Sequence, residues 1–540
     1  MKRKYLYIAP LLAVIAAGCE PSIKDEINSG TYYAGEADFS SYVAIGNSLT
    51  AGYMDGTLYR SGQQNSFPNI LAQQFKVVGG GPFTQPPLDD DTNDVGGMLI
   101  NGNPLPGFDT KLVMNMSTSS PENKKGTVTL DVNKRAQKAY HNAGVPGAKT
   151  FHLIAPGYGS MNNLLTGKAN PYFVRTATSD ETTVMADVMT LKPTFFTNWI
   201  GANDVLAYAT SGGEGLDQNE QANGTDLTQY GGNDITHVGV FKMAYEGIVN
   251  TLVSGGAKGV VATVPDVTTI PFFTTVPYNP ITSAAIVQPG QNEDAVFGQL
   301  NLLIGMFKEV LTQLGQGDRL QLLDKTKANP LLIQDKSLDN LEPQLNVIIK
   351  MLVDSGKFPI KLSDQEIAFI AKGFGQARHA TAKDLMLLTS RAQIGGALPS
   401  TGKPEMDAML KKGITYPIDD KFVLNVVEQE KVQAATNAFN SIIKNVANEK
   451  GLAVADMNDL LRKAVSGLRV EDGQIYTADY FKGMGNLNTV MFSLDGVHLN
   501  PRGYAFIAAE ILRVINKHYK ANIPLVNPAV YPGPTLVLQN

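Results

Sequence analysis

Short apolar runs recur towards both ends of the chain, and a polar turn follows most of them. Apolar runs of this length, bounded by Gly, Asn or Pro, are typical of buried strands. They predict strands at residues 42–45, 191–200, 257–264 and 452–456. Between these strands, residues 238–253 and 423–448 have apolar positions at helical spacing. The alternation predicts an α/β fold, with a parallel sheet and helices on both of its faces.

The segments that flank these runs carry other patterns. A helix is expected directly after Ser48 and a second one at residues 67–75, where Pro68 suits the first turn. Residues 79–126 are rich in Gly, Pro, Asp and Asn and predict a long irregular loop. Residues 504–519 predict a closing helix. In the helix at residues 238–253, the candidate core residues are Val240, Met243, Ile248 and Leu252.

The middle of the chain, residues 277–417, has a different character. Residues 293–314 and 341–353 are long amphipathic runs. Ser363 and Glu366 have the Ser-x-x-Glu spacing of a capping box, which predicts another helix start. This segment is therefore expected to be a large, mainly helical insertion in the α/β core.

Composition narrows the possible functions. Hydrophobic residues make up 43% of the 540-residue chain, which is enough for a sizeable core. The net charge of -5 argues against a nucleic-acid partner, because nucleic-acid binding usually needs a basic face. Asp89, Asp91 and Asn93 have the alternate spacing of a calcium loop. However, Asp94 and Ile100 stand where that loop needs glycine and a bidentate glutamate, so an EF-hand is rejected.

The N-terminus predicts export. Three basic residues at positions 2–4 precede an apolar stretch at 5–17, which is typical of a signal peptide. The only cysteine, Cys19, follows small residues in an arrangement that resembles the lipobox of bacterial lipoproteins. The resemblance implies lipidation of Cys19, a membrane partner through the lipid, and an outer-membrane location on the periplasmic side or at the cell surface. The alternative is a plain secreted protein with an incidental cysteine.

These patterns predict six segments in order. They are a signal peptide at 1–18, a lipid-anchored tether at 19–40, the first part of the core at 41–276, the insertion at 277–417, the second part of the core at 418–520, and an extended tail at 521–540.

Candidate chemistry is carried by four short polar segments. They are Gly46-Asn47-Ser48-Leu49, Asn142-Ala143-Gly144, Gly201-Ala202-Asn203-Asp204 and Asp495-Gly496-Val497-His498. A serine hydroxyl becomes a good nucleophile only when a base takes its proton. His498 is the candidate base for Ser48, and Asp495 can hold the far ring nitrogen and stabilise the imidazolium. The alternatives are an ordinary helix cap at Ser48 and a loop histidine at His498.

The four blocks, in this order, resemble those of the SGNH (GDSL) hydrolase family. The resemblance covers the core but not the insertion, and Asn47 stands where the GDSL name has aspartate. It implies a three-layer α/β/α flavodoxin-like fold and a serine esterase or lipase with no metal or organic cofactor. It also implies an oxyanion hole formed by the backbone N–H groups of Ser48 and Gly144 and the side-chain amide of Asn203.

Several functional alternatives stay open. Thr50 occupies the last position of a Gly-x-Ser-x-Gly elbow, so the α/β-hydrolase pattern fails. The substrate is expected to be a small-molecule or glycan ester, such as a lipid or an acetylated glycan. A non-catalytic lipoprotein that binds a ligand or glycan is one alternative, and an acyltransferase with the same triad is another. Residues 79–126 and 277–417 are expected to shape the acyl or alcohol pocket, although the insertion could instead dock a partner.

Overall fold

A computed structural model describes residues 32–398, 403–469 and 473–537 of the chain. The expected signal peptide, the lipidation site Cys19 and the first part of the tether lie outside these described residues. Within the described ranges, no helix combines the length and the apolar character that crossing a bilayer requires.

A five-stranded sheet, in which every pair is parallel, forms the centre of the α/β fold. Its strands are β1 (Tyr42–Gly46), β2 (Asn142–Gly144), β3 (Phe195–Trp199), β4 (Lys258–Ala262) and β5 (Ala453–Ala455). Their order across the sheet is β5-β4-β3-β1-β2. The predicted α/β class with a parallel sheet is confirmed. The sequence predicted no strand at β2, because three residues with the composition of a turn carry no apolar run.

Ten helices of the described chain are numbered α1 to α10. They are α1 (Ser48–Ala51), α2 (Phe67–Lys76), α3 (Asn203–Thr210), α4 (Val238–Val253), α5 (Glu293–Gln313), α6 (Glu342–Asp354), α7 (Asp364–Phe374), α8 (Val426–Lys450), α9 (Met457–Val465) and α10 (Pro501–His518). Shorter helices lie at Arg60–Gln64, Met161–Leu164, Pro171–Val174, Val184–Met189, Pro271–Thr274, Ser283–Ile286 and Pro404–Met409.

Helix boundaries follow local capping chemistry. The closing helix α10 begins three residues before the predicted position, because Asn500 caps it by accepting the Gly503 N–H and Pro501 suits the first turn. The helix after Ser48 is a single turn. Helix α9, which Asp456 caps, was not predicted at all.

The main hydrophobic core lies between the sheet and its helices. Helix α10 packs against α2, β4 and β5, and α8 packs against α3, α4, β4 and β5. In α4, Val240, Ile248 and Leu252 are buried as predicted. The prediction for Met243 was wrong, since 68% of its surface is exposed. The buried stripe of α4 repeats every four residues through Ala244, and Met243 lies off this stripe.

Between β4 and β5, helices α5, α6 and α7 pack into one further hydrophobic cluster, and α5 also contributes to a second one. The predicted capping box of α7 is confirmed, because Ser363 and Glu366 exchange hydrogen bonds. A short strand in this part of the chain lies at Leu385–Met386.

Short strand pairs complete the described fold. Residues 79–126 are largely irregular, as predicted, although they contain two of these pairs. The pairs are Leu99–Ile100 with Asn103–Pro104, Leu112–Asn115 with Ser120–Asn123, Leu332–Gln334 with Ala377–His379, Leu385–Met386 with Val423–Leu424, and Leu468–Arg469 with Ile475–Tyr476. In the tail, Leu536–Val537 pairs in parallel with Met114 and Asn115.

Candidate active site

The carboxyl ends of three neighbouring strands bring the first three polar blocks together. In the sheet register, Gly46 of β1 lies beside Gly144 of β2 on one side and Trp199 of β3 on the other. The chain leaves β1 for β2 on one side and later enters β3 on the other, so this is a topological switch point. Crevices outside the carboxyl ends of strands at such points are the usual ligand sites of open parallel sheets.

Ser48 opens helix α1 directly after β1. The residue that caps this helix is Asn47, whose side-chain oxygen accepts the Leu49 N–H at 3.1 Å. The alternative in which Ser48 is an ordinary helix cap is therefore wrong. The Ser48 hydroxyl is left for another partner, and the residue is 7% exposed.

That partner is His498, which lies 450 residues further along the chain. The Ser48 Oγ is 2.9 Å from His498 Nε2, and His498 Nδ1 is 2.9 Å from Asp495 Oδ2. The carboxylate can only accept, so Nδ1 donates to Asp495 and Nε2 accepts the proton of the serine hydroxyl. The three side chains thus form one continuous hydrogen-bonded chain.

Both oxygens of the Asp495 carboxylate accept hydrogen bonds. Its Oδ1 accepts the backbone N–H groups of Val497 and His498, each at 2.8 Å, and the Ser493 hydroxyl at 3.0 Å. Its Oδ2 also accepts the Gly56 N–H at 2.9 Å. Burial would raise the pKa of Asp495, but attraction to His498 and these hydrogen bonds lower it to about 2. The group is therefore an anion throughout the physiological pH range.

A two-residue turn at Asp55-Gly56, which was not predicted from the sequence, supports this loop. Met54 and Thr57 pair across the turn, and both central residues have positive φ, 53° and 81°. The Asp55 N–H donates to Ser493 Oγ at 3.0 Å, and Asp55 Oδ1 accepts the Leu494 N–H at 3.0 Å. An Asp-Gly dipeptide is a strong sequence signal for such a turn, so it could have been found.

Asp55 is itself a buried carboxyl, with 3% of its surface exposed. Its Oδ2 accepts the Tyr59 hydroxyl at 2.8 Å. Burial raises its pKa, hydrogen bonds from Leu494 and Tyr59 oppose the rise, and the result is about 6. Two carboxyl groups with opposite pKa shifts, Asp55 and Asp495, therefore meet at one loop.

An aromatic wall lies beside the histidine. The Tyr53 ring centroid is 4.7 Å from that of His498, and Tyr172 packs edge-on against Tyr53 at 6.4 Å. The Tyr504 hydroxyl of α10 donates to the Tyr53 carbonyl at 2.6 Å. The packing restricts the imidazole to the orientation that faces Ser48.

The expected oxyanion donors differ in their surroundings. Ser48 and Asn203 are each the first residue of a helix, α1 and α3, so their backbone N–H groups have no acceptor within the helix. The side chains of Ser48, His498 and Asn203 line one small pocket of about 30 Å³. One N–H of the Asn203 amide donates to the Ala148 carbonyl at 2.9 Å, which orients the amide and leaves its second hydrogen for a ligand.

Gly144 is placed differently. Its N–H donates to the side-chain oxygen of Asn142 at 3.1 Å, and it lines another cavity, with Tyr172 and Arg175. A Cβ at position 144 would overlap the Ala51 nitrogen and lie 2.7 Å from the Thr50 carbonyl carbon. The glycine therefore allows β2 and α1 to approach closely.

The neighbouring acidic residues serve the scaffold. Asp204 is fully buried and accepts the Thr150 N–H at 2.9 Å and the Thr150 hydroxyl at 2.8 Å. Asp234 ends the segment Gly231-Gly232-Asn233-Asp234, which nearly repeats Gly201-Ala202-Asn203-Asp204. It accepts the N–H groups of Leu216 and Gly231 and lies outside the pocket of Ser48. Over the described residues, no group of three or more His, Cys, Asp or Glu side chains is arranged to hold a metal ion.

Comparison of the chain with protein-family models, curated proteins and solved structures found no match.

Proposed function

We propose that this protein is a serine ester hydrolase of the SGNH type, which cleaves carboxylic esters through an acyl-enzyme. The observation that carries the proposal is the hydrogen-bonded chain from Ser48 through His498 to Asp495, with 2.9 Å at both steps. This geometry matches nucleophile, base and orienting acid. Across the sheet, the strands lie in the order β2-β1-β3-β4-β5, which supports a flavodoxin-like three-layer arrangement around the site.

The chemistry follows from the hydrogen bonds. Ser48 Oγ attacks the ester carbonyl carbon while its proton passes to His498 Nε2, and the carbonyl electron pair moves onto oxygen. Asp495 stays ionised and stabilises the imidazolium through Nδ1. When the tetrahedral intermediate collapses, the C–O ester bond breaks and the leaving alcohol takes the proton from Nε2. Water then repeats the sequence on the acyl-Ser48 ester and releases the acid.

The developing oxyanion needs donors aimed at it. The Ser48 N–H and the free amide hydrogen of Asn203 border the same pocket as the nucleophile, which supports them as donors. The Gly144 N–H would first have to leave Asn142 Oδ1. We therefore assign the larger share of oxyanion stabilisation to the Asn203 amide. The Gly144 N–H can contribute only after its hydrogen bond to Asn142 Oδ1 breaks.

The test uses chromogenic p-nitrophenyl esters from acetate to octanoate with the purified protein. Ser48→Ala is expected to lower kcat by roughly 10⁴-fold or more, because removing a nucleophile abolishes covalent catalysis. Ser179→Ala, at an exposed serine outside the site, is the matched control and should retain full activity. A protein that hydrolyses none of these esters would favour the non-catalytic alternative, and activity that survives Ser48→Ala would assign the chemistry to another residue.

The proposal includes the insertion and the membrane anchor. Residues 277–417 would be an insertion with hydrophobic clusters of its own. It would support the catalytic loop, since Leu388 lies so close to Gly496 that a Cβ on the glycine would contact it. Export and lipidation at Cys19 would hold the enzyme at the outer membrane. The mass of the mature N-terminus tests the anchor, because an unmodified Cys19 or an uncleaved N-terminus would exclude it.

A further inference from the structure

A second pocket lies directly beside the pocket of Ser48. Four residues, Leu49, Pro265, Ile270 and Val497, line both. Leu49 is the neighbour of the nucleophile, and Val497 is the neighbour of the base. A group that is attached to the carbonyl carbon at Ser48 therefore lies next to the second pocket.

Every side chain that lines this second pocket is apolar. Besides the four shared residues, they belong to β3, α9 and α10 and to the segments on both sides of His498, and they include Trp199, Leu461, Phe492, Leu499 and Phe506. The indole N–H of Trp199, the one polar group of these side chains, donates to the Thr263 carbonyl at 3.2 Å. The lining side chains therefore offer no free hydrogen-bonding group to a ligand, which excludes a sugar and suits a hydrocarbon.

The location of this pocket differs from the expectation in the sequence analysis. No described residue of 79–126 or 277–417 lines it. Helix α9, which the sequence analysis did not predict, instead supplies four lining residues. The part of the substrate that enters this pocket is therefore selected by the α/β core itself.

We propose that this pocket binds the acyl chain of the ester, and that it selects straight chains of roughly four to six carbons. This inference rests on the proposed esterase function and adds the substrate class. The pocket has a volume of about 60 Å³ and shares four lining residues with the pocket of Ser48. An apolar cavity of roughly 150 Å³ holds benzene, so a volume of this size accommodates a few methylene groups but not a long fatty acyl chain.

The kinetic test compares kcat/KM for p-nitrophenyl acetate, butanoate, hexanoate and decanoate, which share one leaving group. Each methylene that is added between acetate and hexanoate is expected to raise kcat/KM about fourfold, because the pocket buries it. Decanoate should gain nothing further. A flat profile, or one that peaks at acetate, would overturn the acyl-chain assignment while Ser48-dependent activity left the esterase proposal standing.

Substitutions of Leu461 should shift the preferred acyl-chain length in both directions. Leu461 is only half-buried on α9, so Leu461→Phe should fit and fill the pocket, shifting the optimum towards acetate. Leu461→Ala enlarges the pocket and should shift the optimum towards decanoate. Val465→Phe, at an exposed position one turn further along α9, is the matched control and should leave the profile unchanged. Identical profiles for Leu461→Phe and Val465→Phe would refute the pocket.

A binding measurement separates the pocket from catalysis. Trp199 is the only tryptophan of the chain, so its fluorescence reports directly on this pocket. With the Ser48→Ala variant, ethyl hexanoate should change the Trp199 emission saturably, whereas ethyl acetate at equal concentration should have at least tenfold weaker effect. Binding without wild-type hydrolysis would overturn the proposed function alone. Hydrolysis without a change in Trp199 emission would overturn the acyl pocket alone.

Discussion

At the scale of single residues, Asp55 supports the loop that carries the proposed base, His498, and its orienting acid, Asp495. Its carboxyl accepts the Leu494 N–H and the Tyr59 hydroxyl, and its own N–H holds Ser493. Ser493 in turn donates to the Asp495 carboxylate. Because Asp55 touches none of the reacting atoms, we regard it as a positioning residue.

Asp55→Ala should lower kcat by roughly 10- to 100-fold with little change in KM, because small displacements of a catalytic group are costly. It should also lower the melting temperature, since two buried donors lose their acceptor. Asp55→Asn keeps an acceptor oxygen and should restore most of kcat. The measurement is steady-state kinetics with thermal melting of both variants. Equal kcat losses in Asp55→Asn and Asp55→Ala would contradict a role based on hydrogen-bond acceptance.

At the scale of secondary-structure elements, the close approach of β2 to α1 shapes the region that we propose as the oxyanion hole. The two elements meet where Gly144 faces the backbone of Thr50 and Ala51. Asn142 ties the same elements, because its amide donates to the Thr50 carbonyl at 3.0 Å while its oxygen accepts the Gly144 N–H. Asn203, by contrast, reaches the pocket from the start of a separate helix, α3.

These contacts predict different outcomes for two oxyanion variants. Asn203→Ala should lower kcat by roughly 10²–10³-fold with a nearly unchanged melting temperature, since the backbone around it remains in place. Gly144→Ala forces β2 away from α1 and should destabilise the fold by about 1–3 kcal/mol, so both kcat and the melting temperature fall. Thermal melting alongside kinetics distinguishes the two. A Gly144→Ala protein with wild-type melting would contradict the tight packing described above.

At the scale of the whole molecule, a buried polar junction joins the middle of the chain to the α/β core. Asn425 caps helix α8 together with Glu428 and also donates to Asp335 at 3.1 Å. Arg378 pairs with both Asp335 and Asp384, each at 2.6 Å. Burial, together with repulsion from Asp420 and Asp335, raises the pKa of Glu428 to about 8.

This raised pKa makes stability depend on pH. Glu428 stays protonated in the folded protein up to about pH 8, whereas its ordinary pKa is 4.5. Its contribution to stability is therefore complete below pH 4.5 and is lost as the pH rises through 8. Glu428→Gln keeps the neutral form at every pH, so it should stabilise the protein by roughly 4–5 kcal/mol at pH 8.5 and by little at pH 4.5.

Melting temperatures of wild type and Glu428→Gln at the two pH values test this expectation. Glu430→Gln, at an exposed glutamate of the same helix, is the matched control and should show no such pH dependence. A destabilising effect of Glu428→Gln at pH 8.5 would show that the folded protein needs the ionised carboxylate.

The sequence by itself determined the elements that local chemistry controls. Apolar runs placed four of the five sheet strands, and helical spacing placed α4 at residues 238–253. Capping chemistry placed the start of α7. The residues of the candidate triad were also chosen from sequence, because Ser, His and Asp in a familiar order of blocks carry the resemblance whatever their distance along the chain.

Only the tertiary structure decided which groups meet. The contacts of Ser48 with His498 and of Asp55 with Leu494 join residues more than 400 positions apart, and no local pattern encodes such a contact. The same holds for the apolar pocket, whose lining comes from β3, α9 and α10. Its shape arises from packing between these elements. The sequence pattern of a hydrophobic residue does not show whether that residue fills a core or lines a cavity.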